Sequence, residues 1–167
     1  MNTARSRFVA EPRCDPAEEE RAFEAGDIDP QKFDHEAHLR VAWSYLQQHS
    51  AAIAIAKFTS ALRSLTVQLG AADKYHETIS WFFMILIAER SAVCQHTDWQ
   101  SFKSANPDLL QESSALLKRY YSRDRLTSTV ARQHFLLPDR GAGRQVCPSG
   151  RVQGQELRKG PRSVRWR

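Results

Sequence analysis

Residues 79–88 read ISWFFMILIA, ten consecutive residues of which only Ser80 is polar. A membrane-spanning helix needs about twenty apolar residues, so this run is too short to cross a bilayer. As a helix it places Ile79, Trp81, Phe82, Phe83, Met84, Ile85, Leu86 and Ile87 around the whole axis, the pattern of a helix buried on most faces. A chain that contains such a helix must wrap other elements around it. No convincing alternation of a β-strand appears elsewhere, so those elements are expected to be helices. The expected fold is all-α: an up-down helical bundle of four main helices, followed by short C-terminal helices.

The punctuation agrees. Asp15 caps a first helix with Pro16 at its first position and acids in its first turn, and Gly26 ends it. Asp34 caps a second helix, in which Leu39, Ala42, Trp43 and Leu46 recur at helical spacing up to about His49. Ser50 opens a third, whose stripe of Ile55, Phe58, Leu62, Leu65 and Leu69 is ended by Gly70. The fourth starts near His76 and runs to about Cys94. Beyond it, TDWQSFKSANPDLL reads as a short helix and a turn at Asn106-Pro107, SSALLKRYYS and RLTSTVARQHF as one short helix each, and FLLPD closes the packed region.

Charge divides the chain. The formal net charge is +5, yet residues 140–167 carry eight Lys/Arg against Glu156 alone, a net +7, which leaves residues 1–139 at about −2. That tail holds five of the seven glycines and little aliphatic periodicity, so it is expected to be disordered. The expected organisation is a flexible start over 1–14, a helical domain over 15–139 and a basic tail over 140–167. Nucleic acid or anionic lipid would be met, if at all, through the arginines of the tail. The change of character after LLPDRGAG also fits an inert extension or an altered reading frame. Cys14, Cys94 and Cys147 are odd in number and lack CxxC spacing, which argues against a disulfide framework or a zinc knuckle. With no signal-peptide pattern in MNTARSRFVAEPRC, a soluble cytoplasmic protein is expected.

Two histidine stretches are the candidates for chemistry: FDHEAHLR at 33–40 and KYHETISWFF at 74–83. In an up-down bundle with short connections, helices two and four run parallel, so both stretches lie at one end. At about 100° per residue, Leu39, Ala42 and Leu46 all fall within about 40° of His35, with His38 at the edge of that stripe near −60°. His76 aligns with Phe83 and Ile87. Histidines so placed need partners for both ring nitrogens, and a divalent metal would supply them. Three imidazoles with an open fourth position suit zinc, and imidazole also suits iron, nickel and copper. On this reading His35, His38 and His76 are metal ligands, with Glu77 a ligand or a general base on bound water, in hydrolytic or transferase chemistry. Glu24, Asp27 or Asp29 would stand behind them.

The other reading is structural. Helix starts gather polar side chains to satisfy free N–H groups, and Asp34, His35, Glu36, His76, Glu77 and Thr78 can all serve there. The protein would then be a non-catalytic helical module that binds a partner protein or a small molecule. His49, His96 and His134 read as isolated surface or capping residues, and the aromatic series 81–84 as core rather than a ligand pocket. Tyr120-Tyr121 beside Lys118 and Arg119 lacks the wider basic-aromatic pattern of a nucleic-acid face. Cys94 and His96 lie about 27 Å along the helix from His76, too far to join it as a nucleophile pair.

The pattern F-x-H-x-x-H-L-x-V-A-x-x-Y-L, here FDHEAHLRVAWSYL, followed by YHETISWFF, ANPDLL, YY and FLLPD, resembles a family of small helical proteins from bacteria over roughly residues 20–139. The tail lies outside that resemblance. More loosely, the chain is similar to metal-binding four-helix bundles of the DinB type. That likeness implies histidines from separate helices around a divalent metal.

Overall fold

The computed structural model describes residues 15–94 and 96–141, and every regular element among them is helical. The expected flexible start, all of the basic tail beyond Gly141, Cys14 and Cys147 lie outside these residues. No helix among the described residues is long and apolar enough to cross a membrane.

Four longer helices come first: α1 (Pro16–Ala25), α2 (His35–Gln48), α3 (Ala51–Gln68) and α4 (Glu77–Val93). The Asp15 and Asp34 carboxylates accept the N–H groups of Ala17 and Ala37 at 3.0 and 2.9 Å, so both expected caps form. Gly26 ends α1 in the left-handed region, φ +72°, where a Cβ would lie 2.5 Å from the Gln68 side-chain oxygen. Ser50 precedes α3 without using its hydroxyl as a cap.

Beyond α4 come five short helices: α5 (Trp99–Ala105), α6 (Pro107–Gln111), α7 (Ser113–Tyr120), α8 (Arg123–Thr127) and α9 (Thr129–Gln133). Two differ from expectation. Pro107 opens a helix instead of closing a turn, its fixed φ and missing N–H suiting the first helical position. The stretch 125–135 is broken at Ser128, which is extended (φ −69°, ψ 145°) and uses its hydroxyl to cap Ala131 at 3.1 Å. The serine competes for the backbone and splits one helix into two.

Helix α1 packs on α2, α2 on α3 and α4, and α4 on both α3 and α9. Phe82, Phe83, Met84, Leu86 and Ile87 of α4 are buried, as the apolar run requires, while Ile85 faces outward at 40% exposure. Phe102, Leu109, Leu116 and Tyr121 from the later segment complete the core, each at most 1% exposed. These short helices gain little stability alone and depend on what they bury.

A carboxylate lies inside the α1–α2–α3 packing. Glu20 is 5% exposed. Its carboxylate accepts from Gln48 Nε2 at 2.9 Å and from His49 Nε2 at 2.9 and 3.0 Å, and it pairs with Lys57. His49, read from sequence as isolated, therefore ties α2 to α1. Burial pushes the Glu20 carboxyl up, but the hydrogen bonds from Lys57 and His49 outweigh it and hold it below its ordinary value. Its contribution to stability is thus present above about pH 4.5 and lost as pH falls through the lowered folded value. Glu20→Gln is expected to cost about 2 kcal/mol at neutral pH. In urea unfolding the gap to wild type should close below pH 4; a gap independent of pH would mean that the charge is not involved.

Candidate functional site

Helix α4 begins after an extended residue, and that residue is His76. Its Nδ1 accepts the Ile79 N–H at 3.3 Å, the role of a capping oxygen, and its Nε2–H donates to the Leu126 carbonyl at 2.8 Å. Because a carbonyl can only accept, the proton is on Nε2, and both nitrogens of a neutral ring are then committed. The residue is 9% exposed. Two residues on, Thr78 is fully buried, with Oγ1 donating to the His134 carbonyl at 2.7 Å and accepting the Leu136 N–H at 3.1 Å. The start of α4 is thus fastened to the segment around α8 and α9.

Glu77 turns toward α3 and its own helix. Oε2 accepts from Tyr75 Oη and from Arg63 Nη2, both at 2.6 Å, and Oε1 accepts from Trp81 Nε1 at 2.8 Å. The Arg63 guanidinium also lies 4.9 Å from the centre of the Tyr75 ring. Burial, and then the Glu77 carboxylate, push the Tyr75 hydroxyl up to about 12, with Arg63 opposing. Three donors on one carboxylate make Glu77 a tie between α3 and α4.

At the start of α2, His35 donates from Nε2 to the Leu109 carbonyl at 2.8 Å, and its ring meets Phe83 edge-on at 5.4 Å. Although the sequence puts it on the apolar stripe, His35 is exposed overall. His38 donates from Nδ1 to the Asp34 carbonyl at 2.6 Å, and its ring lies 3.9 Å from that of Phe33. Burial holds the His38 imidazole below its ordinary value, with the Asp34 carbonyl opposing.

The expected histidine cluster is not assembled. His35 stands opposite Phe83, seven residues and about 10 Å along α4 from His76, and each ring has taken a backbone carbonyl as partner. Among the described residues no group of three His, Cys, Asp or Glu side chains is placed to hold a metal ion. The donor set does not fit the three-histidine centre. Glu24, expected behind the ligands, pairs with Lys57 at 3.2 Å.

Asp27 and Asp29 instead border a recess of about 320 Å³ between α1, α2 and the segment that joins them. Its floor is Ala22, Ile28, Phe33, Ala37 and Val41. Acids surround it: Asp15, Glu18, Glu19, Asp27 and Asp29, against Lys32 and Arg40. Both cations are engaged, Lys32 with Asp29 at 3.4 Å and Arg40 with Glu19 at 2.5 Å. The acidic residues of this recess were read from sequence as a helix start and as supports for a metal; what unites them is the return of the chain between α1 and α2. No family model matches this chain, and neither the curated proteins nor the solved structures include one similar to it.

Proposed function

We propose that this protein is a non-catalytic helical binding module in which His35, His38, His76 and Glu77 hold the fold together, and the recess between α1 and α2 receives the ligand. The observation that carries this reading is the commitment of both His76 nitrogens, to Ile79 N–H and to the Leu126 carbonyl. The saturated Glu77 carboxylate supports it. So does the recess, whose volume lies at the lower end of the range for small-ligand sites and which pairs an apolar floor with a few polar groups. On this proposal α1–α4 form an up-down bundle, and the FxHxxHLxVAxxYL and YHET motifs mark packing positions.

The test is metal analysis combined with thermal unfolding. The purified protein is expected to gain no thermal stability from zinc, iron, nickel, manganese or copper, because no binding energy is linked to folding. His76→Ala is expected to cost about 2 kcal/mol with or without metal, from a lost helix cap and a half-buried carbonyl left without its donor. Stoichiometric metal that His35→Ala and His76→Ala remove would overturn the proposal and restore the metal-centre reading.

A further inference from the structure

We infer that the recess between α1 and α2 is a docking site for the chain's own basic segment, residues 158–167, with Trp166 seated on the apolar floor. The inference rests on the reading of the recess as a binding surface and names its occupant. Charge complementarity comes first. With Lys32 and Arg40 already paired and Asp15 capping α1, the exposed Glu18 and Asp27 retain carboxylates with no partner among the described residues. The segment RKGPRSVRWR carries five cations and no acid, and places Val164 and Trp166 between arginines. Arginine flanking an aromatic ring suits a rim of carboxylates around Phe33 and Ile28: the guanidinium forks pair with carboxylates while the indole covers the apolar floor.

Chain length permits the contact. Arg140 is anchored on α7, its N–H donating to the Tyr120 carbonyl at 3.0 Å and its guanidinium to the Lys118 carbonyl at 2.8 Å. Twenty-five residues lie between Gly141 and Trp166 inclusive of the latter. Fully extended, a chain of that length spans about 80–90 Å. A domain of some 125 residues has a radius of gyration of about 14 Å, so the recess is within reach. Tethering raises the effective concentration to the millimolar range, and weak contacts then suffice.

Methyl NMR on the full chain tests this. Ring-current shifts are expected at Ile28 and Val41, independent of protein concentration and lost in Trp166→Ala, in Glu18→Lys/Asp27→Lys, and in about 1 M salt, where the Debye length is about 3 Å. The Ile87 methyl, buried in α4, reports that each variant remains folded. Ile28 and Val41 methyls unchanged by Trp166→Ala overturn the inference, as does a concentration-dependent shift, which assigns the segment to a second copy. The peptide RKGPRSVRWR added to the Trp166→Ala chain separates the two levels. If the peptide shifts these methyls while the tethered segment does not, the recess binds basic peptides and only the intrachain docking falls. If neither shifts them, the binding role of the recess falls with it.

Discussion

By pH 11 the protein is expected to have lost about 3 kcal/mol of stability relative to neutral pH, through two tyrosines alone. Burial pushes the hydroxyls of Tyr75 and Tyr121 up to about 12 from an ordinary 10. The unfolded chain releases these protons near pH 10, whereas the folded chain holds them until about 12, so it binds more protons throughout that window. Stability is therefore intact below pH 10 and falls as pH rises towards 12, by about 1.4 kcal/mol per tyrosine and pH unit. Tyr45, raised by burial and then by the Glu24 and Glu20 carboxylates, adds a contribution of the same sign. Urea unfolding at pH 8, 10 and 11 measures the slope, and Tyr75→Phe/Tyr121→Phe should flatten it by the share of those two residues. An alkaline slope identical in the double variant would sink this account.

Arg90→Ala is expected to cost about 3 kcal/mol, the low end for breaking a buried pair because neither partner is wholly enclosed. Arg90 holds Asp108 with two parallel bonds, Nη1 to Oδ1 at 2.6 Å and Nη2 to Oδ2 at 2.7 Å, and reaches the Asn106 side-chain oxygen at 3.0 Å. The two side chains of the pair are 12% and 24% exposed. The fork fixes both the distance and the orientation of the start of α6 against α4. His35 grips the same helix at the Leu109 carbonyl. Loss of Arg90 should therefore show locally as well as globally. Hydrogen exchange is expected to quicken over α5 and α6 well before α1 and α3. Uniform exchange across all helices would mean that the C-terminal helices are not separately held.

The helices were legible where backbone chemistry is local. Asp15, Asp34 and Gly26 announce their roles because a cap or a left-handed residue acts within three positions. Pro107 misled because it permits a turn or a helix start, and Ser128 because serine can sit inside a helix or cap a new one; the surrounding packing selects between the outcomes. The candidate site was less readable. The spacing of His35, His38 and His76 suggested buried rings with an unmet need for partners; of the three only His76 is buried with both nitrogens partnered, and His35 is exposed, but each ring does meet part of that need. What fills it is the carbonyl of Leu109, Asp34 or Leu126, and a carbonyl belongs to every residue, so no side-chain pattern points to it. The buried Glu20 was hidden for the opposite reason: among the acids of α1 it looks like its exposed neighbours until His49 and Lys57 are brought to it.

The order of synthesis gives the C-terminal helices a further meaning. Helix α4 is made before the residues that cover it, so Phe102, Leu109, Leu116 and Tyr121 reach their places only after its apolar faces already exist. A nascent chain that has emerged from the ribosome only as far as about residue 100 holds those faces bare. Such a chain is a target for chaperones and an aggregation hazard until the last forty residues of the domain emerge and close over it.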